Sequence, residues 1–228
     1  MKTRYYPVAF VVLSTLASAS LLPASDLSLY RGFHLGSSPG DVARQAGMES
    51  SEVKLISSRP ARIEELDWRT NRSAPAETPS DSVKEIRFRF YNGSLFEMMV
   101  SYDRDHTGGL TDADMKEALS PIYGPASTPL TKETSFNAGY TSTVRVIAQW
   151  HDPQSLVSLV GFSHADGFGV IVSSTVNQTL AGRAIVESER LDRVEAPQKA
   201  LDLKAKLDAE TATRDEQCRL ANKPGFRP

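Results

Sequence analysis

Stretches in which apolar and polar residues alternate recur in two separate parts of the chain. In the first part, residues 86–90 alternate isoleucine and phenylalanine with arginine, and residues 96–102 resume the alternation after a Gly-containing turn. In the second part, residues 144–151 alternate, and two apolar segments follow at 155–163 and 168–174. A period of two indicates half-buried β-strands. Together with strand-like segments at 52–56 and 63–69, these segments predict two antiparallel meanders.

A capped helix is predicted before each meander. Ser38-Pro39-Gly40-Asp41 supplies a capping serine, a proline at the tolerated first position and an acid that complements the helix dipole, and Gly47 ends the helix. Thr111-Asp112-Ala113-Asp114 forms a capping box, and Tyr123-Gly124-Pro125 stops the second helix. The strand after each helix carries a tryptophan, Trp68 or Trp150.

The predicted fold class is α+β, with two similar helix-plus-antiparallel-meander units and a charged C-terminal helical segment. The predicted boundaries are a signal peptide at 1–19, a first unit at 20–108, a second at 109–178 and a charged helical tail at 179–228. The polar segment 69–82 is predicted to be a long loop. The similarity in element order suggests an internal duplication.

The pairing of the first hairpin follows from which side chains must share a sheet face. A two-residue loop at Asn92-Gly93 would place Phe88 opposite Glu97, because a slip of one residue moves every side chain to the other face. A three-residue loop that includes Tyr91 places Phe88 opposite Phe96 and gives Gly93 a positive φ. The same solution in the second hairpin, with loop 165–167, pairs Phe162 with Val170.

The tail at 179–228 differs from the rest of the chain in its density of charge. One helix is expected to pack on the domain, and Pro197 is expected to break or restart it. Ala200, Leu203 and Leu207 then give a thin apolar stripe, too short for a sustained heptad pattern. The segment is either an arm that docks on a partner or a solvated charged face.

The first residues have the pattern of an export signal. Lys2 and Arg4 precede a short apolar run at 8–13, and Ala17-Ser18-Ala19 supplies small residues for cleavage. We expect a secreted or periplasmic protein whose mature chain begins near Ser20 and has no membrane span. The alternative is an uncleaved N-terminal membrane anchor.

Composition narrows the classes of function. The formal net charge is −2, which provides no basic patch for nucleic acid. A single cysteine excludes an intramolecular disulfide framework and a cysteine-based zinc site. The chain also lacks the P-loop, G-x-G-x-x-G, H-E-x-x-H and C-x-x-C motifs.

Two stretches resemble catalytic or metal-binding motifs. Gly36–Gly40 satisfies the G-x-S-x-G pattern of serine hydrolases, but Pro39 has no N–H for the oxyanion hole, so Ser38 is expected to cap a helix. The Asp103–Asp114 loop is close to the calcium loop of EF-hands, with Asp103, Asp105 and Thr107 at positions 1, 3 and 5. It departs from that loop in ending on aspartate, and the alternative is an acidic turn that leads into the Thr111 cap.

The stretch from Leu35 to Gly47, followed by Trp-bearing and Gly-turn strands, resembles exported small α+β modules of the BamE (SmpA/OmlA) and beta-lactamase-inhibitor-protein types. The resemblance spans residues 30–175 as two modules in tandem. It implies an envelope or extracellular protein that binds partners through a sheet face and has no catalytic residues.

These observations predict an exported, non-enzymatic binding or scaffold protein. Its expected partner is another protein, with no nucleic acid, no cofactor and no catalytic or metal-binding residues. One alternative is a secreted hydrolase whose pocket gathers His106, Asp103 and Asp105. The other is a module stabilised by calcium in the Asp103–Asp114 loop.

Overall fold

The computed structural model describes residues 26–70, 82–137, 141–162, 167–225 and 227. The predicted signal peptide and most of the predicted 69–82 loop lie outside these ranges. The described helices are α1 (Pro39–Gln45), α2 (Arg104–Thr107), α3 (Asp112–Tyr123) and α4 (Thr175–Asn222), with a 3-10 helix at Ser50–Glu52. The described strands are β1 (Leu29–Tyr30), β2 (Phe33–His34), β3 (Lys54–Ser57), β4 (Ile63–Arg69), β5 (Val83–Tyr91), β6 (Ser94–Tyr102), β7 (Glu133–Asn137), β8 (Thr141–His151), β9 (Ser155–Phe162) and β10 (Gly167–Ser174).

Eight of these strands form one antiparallel sheet in the order β3-β4-β5-β6-β10-β9-β8-β7. The first meander, β3 to β6, and the second, β7 to β10, meet along their last strands, where Val100 pairs with Val170. A helix precedes each meander, α1 the first and α3 the second. The fold is therefore α+β with two helix-plus-meander units and a C-terminal helix, as predicted.

The two faces of the sheet are covered by different helices. The face packed by α1 and α3, here the α1/α3 face, carries the main core, in which the ring of Phe33 in the β1–β2 hairpin packs at a tilt of 56° against the ring of Phe88, with centroids 4.7 Å apart. The opposite face, here the α4 face, carries Phe96 and Ile63, which pack against Ala181 of α4. A second apolar cluster lies elsewhere on the α4 face and consists of Met99, Val144, Val146, Val160 and Ile171.

The predicted helix ends are confirmed. Pro39 is the first residue of α1, and Gly47 follows the helix with φ of +69°. The side chains of Thr111 and Asp114 form the capping box of α3. Gly124, with φ of +84°, ends that helix.

The predicted register of the first hairpin is wrong. Asn92 and Gly93, with φ of +49° and +79°, form a two-residue turn, so the positive φ at Gly93 is confirmed. A register shift after Phe90 leaves Phe96 as an extra residue on β6. Phe88 therefore lies opposite Met98, not Phe96. The bulge resolves the conflict between charged and apolar side chains that led us to expect a longer loop.

The second hairpin also differs from the prediction. Phe162 pairs with Gly167 and Leu159 pairs with Val170, so the loop comprises residues 163–166, which lie outside the described ranges. The ring of Phe162 lies close to Gly169 on the α4 face. A Cβ atom at position 169 would clash with it, because that atom would lie 2.8 Å from two carbons of the ring.

The C-terminal helix is one element, and Pro197 does not break it. α4 runs without interruption through 48 residues, a length of about 70 Å at roughly 1.5 Å per residue. Proline removes one backbone hydrogen bond, here to the carbonyl of Arg193. Since Arg193 is exposed, water can hydrate that carbonyl.

Candidate functional site

Ser38 is a helix cap and not a nucleophile elbow. Its hydroxyl donates to Oδ2 of Asp41 at 2.6 Å and accepts from the backbone N–H of Asp41 at 3.2 Å. The hydrogen bond from the Ser38 hydroxyl, together with one from Nη1 of Arg44, lowers the pKa of Asp41. The hydroxyl is thus committed to the first turn of α1, as predicted.

The Asp103–Asp114 stretch folds as two helix starts. The carboxylate of Asp103 accepts from the backbone N–H of Asp105 at 3.1 Å and begins α2. The carboxylate of Asp114 accepts from the N–H and the hydroxyl of Thr111, both at 2.7 Å. The first and last carboxylates of the stretch, Asp103 and Asp114, therefore cap two different helices, α2 and α3. Among the described residues, no three His, Cys, Asp or Glu side chains are grouped so that they could hold a metal ion.

The residues of the hydrolase hypothesis do not line the neighbouring cavity. That cavity, about 490 Å³, lies between the α2–α3 connection and the sheet, and its lining includes Thr107 and Arg145 but not Asp103, Asp105 or His106. Arg145 binds Asp112, with Nη2 3.1 Å from Oδ1, which lowers the pKa of Asp112. The guanidinium is therefore already paired.

A group of buried polar side chains crosses four adjacent strands on the α4 face. We call Glu97, Ser173, Ser158 and Gln149 the polar row; they come from β6, β10, β9 and β8, and all four are buried. Sequence reasoning missed it because Gln149 and Ser158 fall at positions that a period of two assigns to solvent. The sequence does show that three of the four positions carry uncharged serine or glutamine side chains, whereas a solvent-facing position often carries a charged one.

Glu97 links the polar row to α4. Its Oε1 accepts from Nη1 of Arg89 at 2.9 Å, and its Oε2 accepts from Nε2 of Gln178 at 3.2 Å. The Arg89 guanidinium lies 5.3 Å from the ring centroid of Phe96, the bulged residue. The bulge, the ion pair and the start of α4 are thus one packed unit.

Further along, α4 is attached to the β3–β4 side of the sheet by polar contacts. The hydroxyls of Ser57 and Ser188 lie 2.9 Å apart. Nη1 of Arg59 donates to Oε1 of Glu195 at 2.7 Å. The Arg59 guanidinium, with Lys199, lowers the pKa of Glu195 to about 2.

The α4 face of β4 and β5 carries a ladder of paired charges. Nε of Arg87 lies 2.8 Å from Oδ1 of Asp67 and 3.6 Å from Oε1 of Glu65. Burial raises the pKa of Glu65, although Arg87 opposes the shift. Asp67 also binds Lys54 at 3.2 Å, and Arg69 binds Glu85 at 3.4 Å. The ladder is internally neutralised and does not form a patch of one sign.

Beyond Glu195, α4 extends as an exposed arm. Every residue from Ala196 to Asn222, here called the arm, is exposed. The arm is about 40 Å long at roughly 1.5 Å per residue. It carries four exposed leucines, at 201, 203, 207 and 220. Pairs one turn apart, such as Glu216 with Arg219, stabilise it as a helix.

In the part of the chain that the structure describes, no helix is both long enough and apolar enough to span a bilayer. The N-terminal apolar run at 8–13 lies outside that part.

Comparison with known proteins does not identify a family for this chain. No family model matches the chain, and no curated protein matches it. Among solved structures, a cysteine-rich secretory protein (SAV1118) from Staphylococcus aureus subsp. aureus Mu50 is similar with a TM-score of 0.33 and 8% identity. The match covers 67% of this chain and 46% of that chain, so this chain spans less than half of that protein. So low a TM-score carries no inference about this chain.

Proposed function

We propose that this is an exported, non-enzymatic protein that binds another protein, and that the arm carries the binding surface. The observation that supports the proposal is the arm itself, because a helix whose aliphatic side chains all face water gains nothing from burial within its own domain. Leu203 is 58% exposed and Leu207 is 52% exposed. Packing a partner's apolar side chains against them would remove that surface from water.

Both faces of the sheet are less suitable as the main binding surface. The α1/α3 face is occupied by two helices and the β1–β2 hairpin. The first turns of α4 cross part of the other face at Phe96 and Ile63. The resemblance to beta-lactamase-inhibitor-protein modules would imply binding through a sheet face, whereas this chain has a helix on each face. For that reason we assign the partner to the arm.

The charges on the arm favour a protein partner over a membrane surface. Nζ of Lys206 lies 3.9 Å from Oε1 of Glu210, and Nη2 of Arg219 lies 2.6 Å from Oε1 of Glu216. Interspersed acids and bases lack the excess of Lys and Arg by which amphipathic helices bind anionic lipid. Mixed charge around exposed leucines instead suits helix-to-helix contact with a protein.

Affinity capture from the source organism tests the proposal with matched variants of the full chain. The tagged wild type, Leu203→Glu and Ile122→Glu are compared, because Ile122 on α3 is 60% exposed, like Leu203, but lies outside the arm. We expect the same partner with the wild type and Ile122→Glu, and its loss with Leu203→Glu. A partner retained equally by all three chains would contradict the assignment to the arm.

Export is tested by the N-terminus of the protein recovered from the source organism. The Ala17-Ser18-Ala19 pattern predicts a mature chain that begins at or near Ser20. N-terminal sequencing that finds Met1 intact would contradict cleavage and support an uncleaved anchor.

A further inference from the structure

A cavity of about 210 Å³ lies on the α4 face between two walls. Its floor is the polar row together with Leu156 and Ile171, one wall is the segment that includes Leu130, Thr131 and Thr134, and the other is Gln178 of α4. From this lining we infer a binding site for a small neutral polyhydroxy compound of monosaccharide size. The inference is independent of the proposed function of the arm.

The floor of this cavity consists largely of side chains that are costly to bury. A polar side chain buried in a sheet face costs free energy unless it is hydrogen-bonded, and apolar residues would fill the same positions at no such cost. Here four buried polar side chains lie together on adjacent strands and surround one cavity. Departures from the expected apolar pattern of a core tend to mark functional sites.

Gln149, Ser158 and Glu97 are held in place by hydrogen bonds within the fold and keep capacity for a ligand. Oε1 of Gln149 accepts from the N–H of Leu130 at 2.6 Å, and its Nε2 donates to Oγ of Ser158 at 3.0 Å. An amide nitrogen has a second proton, and a hydroxyl that accepts a bond still has its own proton to donate. The Glu97 oxygens each accept one bond from a side chain and have a further lone pair.

The charge and the volume of the cavity limit which ligand it can hold. Among the described residues of the lining, Glu97 alone is charged, and Arg89 neutralises it. A neutral ligand is therefore favoured over an ion. Hydroxyls and amides that both donate and accept match the hydroxyls of a sugar, which do the same. The volume is below the roughly 300–1,000 Å³ typical of drug-sized ligands, so the ligand is of monosaccharide size.

The test is an NMR titration of the full chain with D-glucose, D-galactose and D-ribose as probes, and with glycine, a zwitterion that carries both an ammonium and a carboxylate, as the ionised comparison. We expect saturable shifts of the Ser158 and Ser173 amides with at least one sugar. Each of Ser158→Ala and Thr131→Val removes one hydroxyl from the lining and is expected to weaken binding about fivefold. Ser120→Ala, on α3 and outside the lining, should leave the affinity unchanged.

Thr131 is exposed, so the Thr131→Val variant tests the site even if Ser158→Ala perturbs folding. The inference is overturned if none of the sugars gives saturable shifts at tens of millimolar, in which case water alone fills the cavity. It is also overturned if glycine binds there and the sugars do not, or if both variants bind as tightly as the wild type.

Discussion

Arg89 and Glu97 form a buried ion pair directly opposite each other on β5 and β6, with Nη1 2.9 Å from Oε1. The arginine side chain is 10% exposed and the glutamate 5%. Since Glu97 also accepts from Gln178 of α4, the pair joins the centre of the sheet to the helix that carries the arm.

Removing one partner of this pair should destabilise the protein strongly. Arg89→Ala leaves the Glu97 charge buried without its partner, and we expect a loss of about 3–5 kcal/mol in the free energy of unfolding. Urea denaturation measures it. The control is Arg190→Ala, which removes an exposed pair with Glu187 and should cost less than about 1 kcal/mol. Equal losses in the two variants would contradict the structural role of the buried pair.

The contact between Arg59 and Glu195 predicts a pH dependence. The pKa of Glu195 is lowered to about 2 from its ordinary value of 4.5. The stability that the pair contributes is therefore present above pH 4.5 and is lost as the pH falls toward 2. In a carboxyl-detected NMR titration, Arg59→Gln should move the pKa of Glu195 back toward its ordinary value, while Arg219→Gln should not. A wild-type Glu195 that titrates at its ordinary value would show that α4 is not attached there.

Substitutions at two glycines, Gly93 in the turn and Gly182 in α4, are expected to change the stability in opposite directions. Gly93→Val places a β-branched residue at φ of +79°, at an expected cost of about 1–2 kcal/mol or more. Gly182→Ala, in α4, meets no atom within 4 Å and should stabilise the helix by about 0.5–1 kcal/mol. Thermal unfolding compares them, and a Gly93→Val variant as stable as the wild type would contradict the turn.

Substitution of Asp114, the partner of Thr111 in the capping box, distinguishes a helix start from a calcium loop. Asp114→Ala removes the carboxylate that accepts two bonds from Thr111 and should cost about 1 kcal/mol. The loss in melting temperature should be the same with millimolar calcium as with a chelator. A wild type stabilised by calcium, with the effect absent in the variant, would establish the metal site instead.

Features fixed by neighbouring residues could be predicted from the sequence. The caps at Ser38 and Thr111 and the glycines that end α1 and α3 depend on local backbone chemistry. Features fixed by distant packing could not. The ring of the bulged residue Phe96 packs against Ala181 of α4, a contact between residues far apart in the sequence. No strand is predicted at the edge strand β7, because its residues show no strong alternation of apolar and polar side chains.

The polar row and the arm also depend on contacts or continuity that the local sequence does not reveal. Gln149 is a polar residue in an alternating strand, and a period of two predicts only that it faces away from the core. It is buried because the backbone of Leu130 returns to bond its side chain. α4 also continues through Pro197, where a break was expected, so the arm belongs to one uninterrupted helix.

Site-specific photo-crosslinking in the source organism tests whether the arm binds a protein. A photoreactive amino acid replaces Leu203 in one full-length chain and Ile122 in another, two exposed aliphatic positions on different helices. We expect one discrete cross-linked partner from position 203 and none from position 122. A discrete partner from position 122 alone, or none from position 203, would contradict binding through the arm.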